Sequence, residues 1–277
     1  MKIKDKKRIA LLLTGQLRDF EVCANDIYEK VIIPLDVDLF IDCWAERGSA
    51  IIFRNIKSWL RKNKKISIDE ILKFYSPKML RIENYSEKLF YKIFGDLDQK
   101  LVYFHPEFKP TIPMIYKMNS CNQLVKEYEK INNFKYDYLI RMRPDGFINR
   151  KITISDLLKI KDGCITAQDH RHGPKGLLWD TFFFGKREDM LNICDVLPHF
   201  KSRLFKIEKL KNVKEKNDYA LQSKGSLLLT QVASEKKIKI VNSDFIFEIN
   251  DAKTGYLNIY GKIKIFLWSL VKNRFVK

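Results

Sequence analysis

The sequence predicts an α/β fold, a single domain on a mixed, mainly parallel sheet flanked by helices. Three observations lead there. Arg8 to Leu13 is a continuous apolar run bounded by Gly15, the pattern of a strand buried on both faces. From Asp19 the period changes, with Phe20, Cys23 and Ile27 at helical spacing until Pro34 closes the segment. Val37 to Trp44 then returns to a strand. Strand, helix and strand in succession make a βαβ unit, and such units build parallel sheets.

The following elements are read in the same way. Residues 45–112 alternate two basic patches, Lys57 to Lys65 and Lys73 to Arg81, with Trp59, Phe74, Tyr75 and Tyr85, and predict short helices and surface loops. After Pro113, the residues Met118, Cys121, Leu124, Val125, Tyr128 and Ile131 form one stripe of an amphipathic helix, ended by Asn132-Asn133. Tyr136 to Met142 is rich in β-formers and is stopped by Pro144. Asp145 is therefore expected at the carboxyl edge of a strand, where open α/β sheets place their ligands, and close to solvent. Further strands are expected at Cys164 to Ala167 and Thr181 to Phe184, with a polar loop from Gln168 to Gly176 between them. A helix from Arg187 to Val196, a lysine-rich solvated connection over 201–217, a helix from Ala220 to Ser234 and short strands at Lys237 to Asn242 and Phe245 to Ile249 complete the reading.

Composition narrows the function. Hydrophobic residues at 45% and aromatic residues at 13% exclude a disordered chain, which lacks the apolar surface to offset ordering entropy. With 52 Lys and Arg against 34 Asp and Glu, the net charge of +18 favours anionic partners without choosing among nucleic acid, membrane and phosphorylated small molecules. Cys23, Cys43, Cys121, Cys164 and Cys194 contain no C-x-x-C pair, so free thiols in a reducing cytosol are expected. The short apolar run near the amino end is too brief for a signal segment, and no stretch approaches the ~20 apolar residues of a membrane span. The expectation is a cytoplasmic protein, soluble or peripheral at the inner face of the cytoplasmic membrane. The aromatic and basic tail 256–277 fits either an interfacial helix on anionic lipid or a terminal helix docked on the core.

One stretch concentrates chemistry: Tyr136-Asp-Tyr-Leu-Ile-Arg141-Met-Arg143-Pro144-Asp145. Arg141 and Arg143, two apart on a strand, point to one face, where two guanidiniums suit a diphosphate. Asp145 beside them either bridges to phosphate through a divalent cation or pairs with the arginines as a structural ion pair. Asp180, at the entrance to an apolar strand, is the first candidate for a general base, and Asp169 the second. Asp169-His170-Arg171-His172 matches no zinc spacing and reads better as a donor-rich loop in which His170 and His172 touch a sugar or phosphate.

The segment resembles the strand that carries the DxD motif in GT-A glycosyltransferases, and specifically a bacterial group from polysaccharide and lipooligosaccharide loci with YDxxIRxRPD at that place. Thr14-Gly15-Gln16-Leu17-Arg18, Val37-Asp38-Leu39-Phe40 with Trp44, and Asp180-Thr-Phe-Phe-Phe-Gly185 agree with it in order, together spanning residues 8–190. The resemblance implies a GT-A-like, Rossmann-type fold. It implies transfer of a sugar from a nucleotide-sugar donor to a surface glycan or lipid-linked acceptor, with residues 1–150 facing the donor and 151–255 the acceptor. Thr14, Gly15, Gln16, Arg18, Asp38, Arg141, Arg143 and Asp145 would hold the nucleotide sugar, and Asp145 a cation, Mg²⁺ or Mn²⁺. Arg143 stands where a DxD motif has its first acid, which leaves metal-independent transfer open. Two other readings compete: a noncatalytic binder of polyanions or nucleic acid, against which no helix-turn-helix, RNP or zinc-finger pattern is found, and another phosphate-handling transferase on a similar sheet.

Overall fold

The computed structural model describes residues 6–18, 20–48, 65–86, 93–94, 108–169, 176–223 and 225–249. His170, His172 and the tail 256–277 lie outside them. The first apolar run forms β1 (Ile9–Gly15), buried along its length. The helix that follows, α1 (Phe20–Ile27), continues through a π-helical turn at Tyr28–Ile32 and a last turn at Ile33–Leu35. Asp36, left-handed at φ 49°, ends it. Next comes β2 (Asp38–Trp44), parallel to β1 as the βαβ reading requires.

Along the rest of the chain lie α2 (Ile68–Leu72), β3 (Met79–Glu83), α3 (Phe108–Ile131), β4 (Tyr138–Met142), β5 (Gly146–Ile148), α4 (Ile154–Leu158), β6 (Cys164–Ala167) and β7 (Phe182–Lys186). They are followed by α5 (Arg187–Cys194), α6 (Val196–Lys209), α7 (Val213–Gln222), α8 (Gly225–Glu235), β8 (Lys239–Asn242) and β9 (Phe247–Ile249). The main sheet has seven strands in the order β3-β2-β1-β4-β7-β6-β8. Only β7 runs against its neighbours, so the sheet is mixed and mainly parallel, as expected.

Alternation along the central strands sends side chains to two cores. Ala10, Leu12, Phe40 and Leu139 pack with α3, α5, α6 and α8 on one face. Leu11, Leu13, Ile41 and Ile140 pack with α1, Ile71 of α2 and Leu157 of α4 on the other. The structure corrects three expectations. The basic patch from Lys73 to Arg81 runs into β3 rather than a loop, because an edge strand tolerates cations and its own residues are only half-buried. The helix expected after Pro113 already begins at Phe108, with Pro113 inside it. The lysine-rich stretch 201–217 is largely helical. Val196, Phe200, Leu204 and Ile207 of α6 are buried at helical spacing, with Lys206 and Lys209 on the outer side.

Buried ion pairs tie α3 to the sheet. Lys117, with no exposed surface, lies 2.6 Å from Asp42 Oδ1 of β2 and 2.5 Å from Glu83 Oε2 of β3, with its Nζ 4.4 Å above the Trp44 ring. Glu129, near the end of α3, accepts from the Tyr136 N–H at 2.9 Å and from Arg187 Nε at 2.7 Å.

The small sheet of β5 and β9 closes the carboxyl edge. Gly146 pairs with Ile249, and a Cβ there would lie 2.2 Å from the Phe247 ring and 2.9 Å from the Glu248 carbonyl. Gly146→Ala should therefore destabilise the chain by about 1–3 kcal/mol through overpacking. Adding Phe247→Leu should recover part of the loss, since that removes the ring atoms in the way. Urea unfolding of the two single variants and the double variant checks this, and additive losses would rule out the contact as the cause.

Candidate functional site

Strand order reverses between β1 and β4: the chain proceeds from β1 outward to β2 and β3, then crosses to β4 on the opposite side. Such a reversal opens a crevice at the carboxyl ends of the two strands. Into it run Gly15 to Arg18 after β1 and Arg143 to Asp145 after β4. Because β7 is antiparallel to β4, its start brings Asp180 and Thr181 to the same edge, where the Thr181 carbonyl accepts from the Arg143 N–H at 2.9 Å.

Asp145 sits at the centre. Its Oδ1 accepts from Arg143 Nε at 2.9 Å, and its Oδ2 from Arg143 Nη2 at 2.7 Å and Arg18 Nη1 at 3.4 Å. The expected place near solvent is corrected: the Asp145 side chain is 1% exposed, against 20% for Arg143 and 21% for Arg18. Burial alone would raise its pKa, but the charge and hydrogen bonds of Arg143, joined by Arg18, hold it below the ordinary carboxylate value.

Arg18 is set from its other side by Gln16, whose Oε1 accepts from Arg18 Nε at 3.3 Å and Nη2 at 3.2 Å. Gln16 in turn lies against Gly48, at φ +73°, where any Cβ would meet its amide at 2.3 Å. Arg47 fixes this second loop, donating to the Arg18 carbonyl and pairing with Glu21 and Glu70. Neither Arg47 nor Gly48 was singled out from the sequence, which offers no motif around them.

Arg141, one step further down the strand on the same face, is buried deeper. Its Nε donates to Thr14 Oγ1 at 3.2 Å, its guanidinium lies 5.9 Å from the Phe183 ring centre, and its Nη1 finds no hydrogen-bond partner among the described residues. Burial pulls its pKa down to about 10, while Asp180 acts in the opposite sense. Thr181 Oγ1 and Gln168 Oε1, at the same edge, are also buried without partners among the described residues. Buried polar atoms rarely stay unpaired, so a crevice bordered by several is suited to a polar ligand.

The other candidates divide. Asp180 reaches the crevice's rim, held by Ser226 of α8, whose hydroxyl lies 3.3 Å from both its N–H and its Oδ1. Asp169 follows β6 at this edge, with its N–H on the Phe245 carbonyl at 2.7 Å. Asp38 is not brought in: it opens β2 at the amino edge, bonded to the Tyr136 hydroxyl at 2.8 Å. Asp42, further along β2, is fully buried on Lys117. A cavity of about 310 Å³ lined by Lys135, Asp137, Asp162, Lys186 and Asp189 also lies at the amino edge, and its Lys186 pairs with Asp162.

The cation implied at Asp145 does not fit these side chains. Both carboxylate oxygens are engaged by guanidiniums. Among the described residues, no cluster of three or more His, Cys, Asp or Glu is arranged to hold a metal.

A family model described as Domain of unknown function (DUF7796) matches residues 4–173, more than half of the chain. No curated protein matches it.

Asp145→Asn should remove about 3 kcal/mol at neutral pH, because it takes away the buried charge that Arg143 and Arg18 share. A depressed folded pKa means that the stabilisation is fully present above the unfolded value, ~3.9, and fades as pH falls through the folded one. The gap between wild type and Asp145→Asn should therefore hold from pH 7 to about 5 and narrow below about 4. Urea midpoints across that range read it out, and a gap that stays constant down to pH 3 would contradict the ion pair.

Proposed function

The chain belongs to that family, whose description names no activity, and for it we propose a nucleotide-sugar-dependent glycosyl transfer. One observation carries the reading: Arg18, Arg141 and Arg143 converge on the carboxyl edge where strand order reverses. A nucleoside diphosphate leaving a sugar gains negative charge at its outer phosphate. Preorganised guanidiniums meet that charge without reorganising and cannot be titrated away near neutral pH. Arg141, with an unpartnered Nη1 at the crevice floor, is the deepest of the three. Thr14 and Gly15 line the β1 side, beneath the place of the nucleotide.

Asp180 is the residue best set to accept the acceptor's proton as its hydroxyl attacks the anomeric carbon. Ser226 limits its motion from one side, and its carboxylate stands across the arginines from Asp145. Asp169 remains the second choice. The acceptor, a surface glycan or a lipid-linked carrier at a membrane face, is proposed from the sequence resemblance. No helix among the described residues is long and apolar enough to cross a membrane. A polyanion binder is supported less well, because these cations are recessed rather than spread over a surface.

The test is release of nucleoside diphosphate from a panel of nucleotide sugars, with and without glycan acceptors. Arg143→Lys should weaken the productive donor tenfold or more, about 1.4 kcal/mol, because an ammonium cannot fork between Asp145 and a phosphate. Asp180→Asn should slow transfer while leaving donor affinity within threefold. Failure of every nucleotide sugar to turn over or to raise the melting temperature would remove the reading.

A further inference from the structure

We infer that this site recognises a diphosphate without a divalent cation, and that Asp145 is a positioning residue which holds Arg143 and Arg18 toward it. The ligand class rests on the proposed function; the metal-free geometry stands on the side chains.

A hard cation such as Mg²⁺ asks for about six oxygens at ~2.0–2.1 Å and keeps several of them as water. Asp145 offers no such coordination. Its carboxylate is 1% exposed, and three guanidinium nitrogens approach its two oxygens. An arriving cation would have to displace a fork–fork pair, the strongest geometry available to a carboxylate. Among the described residues, no cluster of three or more His, Cys, Asp or Glu supplies the missing ligands. Asp42 is taken by Lys117, and Asp180 is held by Ser226.

What the site lacks in carboxylates it has in guanidiniums. Arg143 and Arg18 are aligned by the same carboxylate, and Gln16, seated on Gly48, fixes Arg18 from behind. Arg141 adds a third positive group with an N–H still to be satisfied. A diphosphate has the charge and acceptor oxygens to meet all three, and the guanidiniums would take the place of a metal in balancing it. Asp145 then acts through its partners: it keeps two flexible side chains in one geometry, so less entropy is lost when the anion arrives.

Calorimetric titration of inorganic pyrophosphate into the full chain, once in excess EDTA and once with Mg²⁺ or Mn²⁺, tests the inference. The expected affinities agree within threefold, and Arg143→Lys weakens binding tenfold or more in both buffers. Asp145→Asn should weaken it tenfold as well, and Asp145→Glu, which restores a carboxylate, should regain at least threefold of that loss. Should the Asp145 variants fail to fold, the wild-type comparison and Arg143→Lys decide. A tenfold fall on chelation that Mg²⁺ or Mn²⁺ restores overturns the inference, as does a lack of pyrophosphate binding in either buffer. An Asp145→Glu variant that folds but binds no better than Asp145→Asn overturns the positioning role. Chelator-insensitive pyrophosphate binding without turnover of any nucleotide sugar would retire glycosyl transfer and leave this inference standing.

Discussion

A carboxylate stripped of water must find charge and hydrogen bonds inside the protein or give up its own charge. At Asp145 the first outcome holds, and much of the crevice follows from it. Arg143 comes from the same strand end, but Arg18 comes from the loop after β1, so a single carboxylate joins the two segments that flank the sheet's reversal. The loop after β2 joins through Gly48 beneath Gln16 and Arg47 beneath the Arg18 carbonyl. Three strand ends are thus held by polar contacts, while the strands below are held by apolar packing. The site gains a fixed geometry, and its stability becomes tied to the ionisation of one group.

The fold was legible where apolar period alone decides. Ile9 to Leu13 is a fully buried strand, and Met118, Cys121, Leu124 and Val125 form one buried helix face with Tyr128 packed against it, whereas Ile131, expected to continue the stripe, is exposed. It was less legible where charge masked the period. In α6, Phe200, Leu204 and Ile207 lie among Lys201, Lys206 and Lys209, and a reading led by lysine density sees solvent where one face is core. The short β5 offered too few residues for a period, since its pairing with β9 depends on a partner far along the chain.

The site was legible in its membership more than in its state. Spacing put Arg141 and Arg143 on one face and Asp145 just beyond them; Arg143 and Asp145 do pair, while Arg141 bonds Thr14 and feels the other two only through their charge. Spacing could not tell that Arg141 would be buried under the helices, or that Asp145 would be closed off by Arg18 across the reversal. Such depth is a property of what covers an edge. Asp38 shows the converse: the resemblance implied a contact with the nucleotide sugar, yet strand direction sends it to the opposite end of the sheet.

The pairing of Gly146 with Ile249 and of Ile148 with Phe247 has a consequence for how the molecule is made. Asp145 leaves the ribosome about a hundred residues before the strand that closes over its neighbour, a delay on the order of 5–20 s at ordinary elongation rates. Only for the first part of that interval, until β7 follows about 40 residues after β4, does β4 have β1 on one side and an open edge on the other. The region matched by the family model, 4–173, ends before both β7 and β9, so it contains the arginines without the strands that enclose them. Vectorial synthesis therefore makes enclosure of the site a late event, and a nascent chain halted near residue 173 would present β4 as an open edge, prone to pair with another copy.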